Sequence, residues 1–218
     1  MKPKFWLERW QKNQIGFHQE DHNPFLVEFW PTLNLRPGAK VFVPLCGKSL
    51  DMRWLEKQGH EVVGVELAQL AIENYFVAED SVQQESVDRF VRYTGQKSEI
   101  YHGDFFDLTT PLLSGVDAVF DRGALVALPP DMRFRYVDHM LRIIPEGCRI
   151  LLITLEYDQN TVSGPPHAVH SEEVEQNFGH RCDVELVESF VTNTLAPHFE
   201  REGVRQAVES VYAITKRE

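Results

Sequence analysis

Apolar runs alternate with stretches of helical periodicity along the middle of this 218-residue chain. Lys40–Leu45, Glu61–Glu66, Val116–Asp121 and Arg149–Leu155 are short, strongly apolar and read as buried strands. Between them lie helix patterns. Ser49–Gln58 stops at Gly59, a natural C-terminal cap, and Ala68–Ala78 follows the second strand. Asp131–Ile144 is amphipathic, with "PP" before it and "PEG" after it. Ser171–Phe178 has Ser171 as its expected cap, Glu172 and Glu173 in its first turn, and Gly179 behind it. "RFVRYTGQKSEIYHGD" alternates on both sides of Thr94-Gly95, which predicts a hairpin inserted before or merged with the third strand. Glu185–Val191 and Ser210–Thr215 read as a last, antiparallel edge pair without a long helix between them. Apolar strands alternating with helices predict an α/β fold, a mostly parallel sheet covered on both faces, in one domain spanning residues 1–218.

The first 36 residues follow a different pattern. Phe5, Trp6, Trp10, Phe17, Phe25, Phe29 and Trp30 crowd into "FWLERWQKNQIGFHQEDHNPFLVEFW". Helical spacing predicts two short helices with a break near Ile15-Gly16, ended by Pro31 and the "RPG" at Arg36–Gly38. Such a segment serves as a helical cap packed on the core, as a lid whose aromatic faces cover a planar ligand, or as both.

Composition narrows the partners. A net charge of −11 argues against nucleic acid, whose phosphates call for clustered Lys and Arg, and weakly favours a cationic or neutral ligand. The three cysteines, Cys46, Cys148 and Cys182, are widely spaced and odd in number, which points to a reducing compartment rather than disulfides or a zinc site. "MKPKFWLERW" has no apolar signal core, and "ILLITL" is far short of the roughly 20 residues of a membrane helix. A cytoplasmic protein, with no membrane partner, is expected.

The stretch "KVFVPLCGKSLDMRWLEKQGHEVVGVE" has the layout of a nucleotide-binding crossover, with one glycine in its turn. A P-loop needs a second glycine five residues before Gly47, where Phe42 stands. A pyrophosphate fingerprint needs two more glycines. A nucleoside without phosphates still fits. Gly47 allows close backbone approach, and Glu66, ending the second strand, can accept both ribose hydroxyls. Asp104, just past the third strand beside Phe105 and Phe106, can receive an adenine amino group while a ring stacks on the base. Asp121 and Arg122 end the fourth strand. Three acids and an arginine on one sheet rim describe a pocket for adenosine bearing an amino-acid tail, which S-adenosylmethionine is.

"FHQE" at 17–20, "VFVPLCGKSLDMRWL" at 41–55, "GHEVVGVE" at 59–66, "FDRGALVALPP" at 120–130 and "GPP" at 164–166 resemble the thiopurine S-methyltransferase family, in its bacterial branch. The resemblance runs from about Trp10 to near the C-terminus. It implies a Rossmann-like class I methyltransferase with a seven-stranded sheet and S-adenosylmethionine as donor. Its donor contacts fall on Trp10, Phe17, Leu45, Gly47, Glu66, Asp104 and Arg122, with Leu45 and Gly47 at the methionine part. Asp104 departs from members with a small hydroxyl residue there. Phe17, Arg122, Pro165 and Pro166 would border the acceptor. The family's acceptor-side arginine near the C-terminus has no counterpart in "APHFEREGVRQ".

The acceptor so implied is an aromatic or heterocyclic thiol such as a thiopurine, or, alternatively, a selenium or tellurium species. A ring thiol is partly ionised at neutral pH, so the task is alignment of sulfur, carbon and leaving sulfur, which is worth roughly 7–11 kcal/mol. Arg122 is expected to attract the anionic acceptor or steady the donor's carboxylate, or else simply to pair with Asp121. No catalytic base is assigned. Cys46 reads as a packed residue. His18 and His22, and His167 and His170, read as loop histidines, and no metal is expected. A monomer is expected.

Overall fold

The computed structural model describes residues 3–193 and 197–217. Its centre is a single sheet in the order β3-β4-β5-β2-β1-β6-β7-β9-β8. β1 (Lys40–Val43), β2 (Glu61–Glu66), β5 (Ser98–His102), β6 (Val116–Arg122) and β7 (Arg149–Glu156) are parallel neighbours. β9 (Ala207–Lys216) returns antiparallel to β7, and β8 (Cys182–Thr192) pairs antiparallel with β9 at the edge. Those seven strands are the ones expected. Two more, β3 (Gln83–Val87) and β4 (Phe90–Thr94), extend the opposite edge, so nine described strands form the sheet. β4 and β5 are the hairpin around Thr94-Gly95, and β5 itself is the third parallel strand, so the hairpin is merged into the sheet. β3 has almost entirely exposed residues. With no apolar face to bury, it left no strand signal in the sequence.

The central strands are apolar on both faces because helices cover both. Val41, Val62, Ile100, Ala118, Phe120, Leu151, Ile153 and Val211 face one layer: α2 (Pro24–Phe29), α3 (Leu50–Lys57) and α4 (Gln69–Tyr75). Phe42, Val63, Val65, Val119, Ile150, Leu152, Tyr212 and Ile214 face the other, α5 (Pro130–Ile143) and α6 (Ser171–Phe178). Successive residues of each strand thus feed two cores. α1 (Pro3–Gln11) and α2 form the N-terminal cap, with the expected break between them. A last short helix, α7 (Pro197–Arg201), lies between β8 and β9.

Three local expectations shift. β1 ends at Val43 rather than Leu45, because Leu45 turns with φ +47°. α4 ends at Tyr75, well before Ala78, where the ring of Phe76 tucks into the core beside Tyr75. α6 is preceded by His170, so Ser171 is its first residue and caps nothing; its hydroxyl reaches Glu172 instead.

Candidate functional site

The chain leaves β1 for β2 and β5 on one side, then crosses back to β6 on the other. The carboxyl ends of β1 and β6 therefore flank the crevice where open sheets of this kind bind ligands. The turn after β1 is shaped by its sequence. Leu45 and Gly47 both take positive φ, +47° and +55°, which folds the backbone back toward β2. Cys46 N–H donates to Val65 O at 3.0 Å, and its side chain is buried beneath the turn. Burial and the nearby Glu66 push the Cys46 thiol well up, so it is an inert packing residue. Ser49 then caps α3 by accepting from Asp51 N–H.

Glu66 closes the turn from the other strand. One carboxylate oxygen accepts Gly47 N–H at 2.8 Å and the other accepts Ala68 N–H at 2.7 Å. The side chain is only 6% exposed. Burial raises its pKa, opposed by amide bonds from Ala68, Gly47 and Leu67. Each oxygen has a lone pair left, so the carboxylate can accept from a vicinal diol.

The cap sits on this turn. Trp10 is buried against Ala68 and Ala71 of the α4 entry, and a Cβ on Gly47 would lie 3.1 Å from its ring. Phe17 packs edge-on to Trp10 at 5.7 Å and to Trp6 at 5.6 Å, and remains 40% exposed. Asn23 N–H donates to the buried Asp51 carboxylate at 2.7 Å, tying the cap to the start of α3. Asp51 gave no sequence signal, since an acid in a first helical turn is ordinary.

Asp104 lies beside Glu66, because Gly103 N–H donates to Glu66 O at 3.0 Å. Its own carboxylate accepts Phe106 N–H at 2.9 Å and is exposed. Contrary to the expectation, the Phe105 ring is not free to stack on a base. Phe105 is buried against Phe42 and Tyr136, and Phe106 carries the Arg135 guanidinium 4.0 Å from its centroid.

Asp121 and Arg122 part company because β6 alternates. Asp121 is fully buried on the α5 face, accepting from Tyr136 Oη at 2.7 Å and Leu125 N–H at 3.1 Å. Burial pushes its carboxyl up to about 6. Arg122 points to the opposite, cap-side face, so the simple Asp121–Arg122 pair does not form. No described residue makes an ion pair or hydrogen bond with its guanidinium, which burial destabilises and the more distant Asp51 and Glu209 favour. His18 also lies near it, and burial, Lys48 and Arg122 lower its pKa, leaving the ring neutral at pH 7. Glu209 was missed. Its signal was an acid at the position of β9 that shares a face with Val211 and Ala213.

The "GPP" segment reaches the same rim. Tyr157 Oη donates to Pro166 O at 2.6 Å and His167 N–H to Val126 O at 2.7 Å, so Pro165 and Pro166 lie over the ends of β6 and β7. Of the other histidines singled out, His22 pairs with Asp21 and His170 with Glu156, while the buried His167 Nε2 has no hydrogen-bond partner among the described residues. Among the described residues no group of three or more His, Cys, Asp or Glu is placed to hold a metal. No described helix is long and apolar enough to cross a membrane. "APHFEREGVRQ" lies partly outside the described residues.

A mostly parallel sheet of nine described strands with its crevice between β1 and β6 is a Rossmann-like α/β fold. The fold is shared with a SAM-dependent methyltransferase from Anabaena variabilis (TM-score 0.67, 12% identity, 99% of this chain and 95% of that one). It is also shared with the 1,6-didemethyltoxoflavin-N1-methyltransferase of Burkholderia thailandensis, solved with 1,6-didemethyltoxoflavin and S-adenosylhomocysteine (TM-score 0.65, 14% identity, 99% and 87% coverage). The thiopurine S-methyltransferase (TPMT) family model matches residues 1–217, and the chain belongs to that family. It is 45% identical to the thiopurine S-methyltransferase of Nitrosospira multiformis over all of this chain and 99% of the relative. It is 46% identical to the probable thiopurine S-methyltransferase of Yarrowia lipolytica, over 98% of this chain and 100% of the relative.

Proposed function

We propose that this enzyme transfers the methyl group of S-adenosylmethionine to the sulfur of heterocyclic or aromatic thiols of the thiopurine kind. The observation that carries this reading is the arrangement at the rim: a buried Glu66 carboxylate under a glycine turn, and across the crevice an Arg122 that no described residue pairs with. The donor fits the first part. Glu66 accepts from the ribose hydroxyls, and the Cβ-free backbone of Gly47, on which the Trp10 ring packs, lets the donor's chain approach closely. Leu45 and Gly47 line the methionine part, Asp104 borders the base, and Trp10 and Phe17 close over the top.

The sulfonium donor supplies an activated methyl group, so the protein's work is alignment. Arg122 attracts the sulfur as it gains anionic character and lowers the thiol pKa. Phe17, Pro165 and Pro166 hold the flat acceptor. The relatives' names favour organic thiols over selenium or tellurium species. Cys46, Cys148 and Cys182 are all unpaired, which supports a cytoplasmic setting. The test is methylation of 6-mercaptopurine by the wild-type protein and by Arg122→Met. We expect product from the wild type and a variant with kcat/KM at least about tenfold lower; an unimpaired variant would remove Arg122 from the acceptor side.

A further inference from the structure

The same face of the sheet that presents Arg122 presents a carboxylate that the reading above leaves without a task. Arg122 pairs with Ile153 of β7, and Ile153 with Val211 of β9, so the three stand abreast. Glu209 is one side chain further toward the rim, opposite Leu155, and it faces Arg122 electrostatically. With β7 between them, the two backbones are about 10 Å apart, twice the spacing of adjacent strands. No hydrogen bond or ion pair occupies Glu209 among the described residues. It is half-buried, and its cross-strand neighbour Phe190 lies stacked under Phe25 at 4.8 Å. The other charges nearby are engaged or turned away. Glu156 meets His170 and Ser210, Asp51 accepts from Asn23 and Ser49, and Glu188 is exposed. A cation and an acid thus face each other on one rim, held apart, with the cap closing one side.

From this juxtaposition we propose that Glu209 accepts the ring N–H proton of a heterocyclic thioamide acceptor, the thione form in which such thiols largely exist. The inference rests on the thiol-methylating function proposed above and specifies its substrate class. The step balances. The sulfur forms a bond to the donor's methyl carbon as the bond from that carbon to the sulfonium sulfur breaks, its electron pair staying on the departing sulfur. The C=S π pair becomes the new S–C bond, the N–H pair becomes the ring C=N bond, and the proton passes to the Glu209 carboxylate, to be lost later to water. Arg122 faces the sulfur end and Glu209 the nitrogen end. A cation alone would suit any thiolate or oxyanion; the added carboxylate favours an acceptor with a donor N–H beside its sulfur and disfavours oxyanions.

The test compares Glu209→Gln with the wild type on two acceptors at pH 7. 6-Mercaptopurine has the N–H; 4-nitrothiophenol has none and is already a thiolate. We expect kcat on 6-mercaptopurine to fall about a hundredfold, the usual contribution of a positioned base, with 4-nitrothiophenol changed less than about twofold. Raising the pH until 6-mercaptopurine ionises in solution should close the gap, and Glu209→Asp should restore part of the rate. Unchanged calorimetric affinity for S-adenosylmethionine shows that each variant is folded. An equal deficit on both acceptors, no deficit on either, or wild-type turnover of 4-nitrothiophenol alone overturns the role of Glu209. A wild type that methylates neither compound overturns the proposed function itself, and this inference with it.

Discussion

Glu66 has two duties that meet in one carboxylate. It holds the turn through Gly47 and Ala68 amides, and it keeps lone pairs for a ligand. Glu66→Gln places an amide N–H₂ against one of those backbone donors. We expect donor affinity to fall by about 1–3 kcal/mol, the range for lost charged hydrogen bonds, by calorimetry with S-adenosylmethionine; unchanged binding would take the ribose role away. Asp121 carries a stability signature instead. Its folded-state value of about 6 exceeds the ordinary 3.8, so its favourable contribution is complete below 3.8 and is lost as pH rises through 6. The loss is on the order of 3 kcal/mol. Urea unfolding at pH 4 and pH 7 should therefore show the advantage of wild type over Asp121→Asn shrinking at the higher pH. A constant difference would mean that burial does not hold the proton on Asp121. At this scale the sequence singled out Glu66, Gly47 and Arg122 because each ends a strand or breaks a rule of backbone conformation. It left Glu209 and Asp51 unmarked, since the meaning of each comes from what faces it.

The turn after β1 works as one element with the strand behind it. Gly64 of β2 lies under Cys46, and a Cβ there would fall 2.7 Å from the sulfur and 3.3 Å from both Ile100 and Met52. Gly64→Ala should destabilise the fold by about 1–3 kcal/mol through overpacking. Adding Cys46→Ala should recover part of that, a non-additivity that a double-mutant cycle in urea measures; strict additivity would show that the sulfur is not the obstacle. Gly47→Ala meets both a positive φ and the Trp10 ring, so loss of donor binding together with altered tryptophan fluorescence is expected there. A fluorescence spectrum and an affinity both like those of wild type would contradict this packing of Trp10. The strands were legible as elements because burial on both faces makes them continuous apolar runs. β3 was not, since an exposed edge strand has no such pattern. The fate of the Phe105 ring was equally hidden: an aromatic beside an acid reads alike whether it turns to a ligand or into the core.

At the scale of the molecule, alternation along β6 sorts charge by function. Asp121 goes to the α5 side as scaffold, and Arg122 to the cap side, beside the crevice, as a cation that no described residue pairs with. The cap lies on the turn after β1 through Trp10 and on α3 through Asn23 and Asp51, so this rim of the sheet is covered by chain that precedes the first strand. The overall architecture was readable from strand and helix order. The opposed Arg122 and Glu209 were not, because they come from strands separated by β7 and by some ninety residues of chain. Mass spectrometry of 6-mercaptopurine incubated with the protein and methyl-labelled S-adenosylmethionine tests the whole account at once. The label should appear on the thiopurine sulfur in a catalytic yield. Donor bound at saturation with no labelled thioether formed would contradict it.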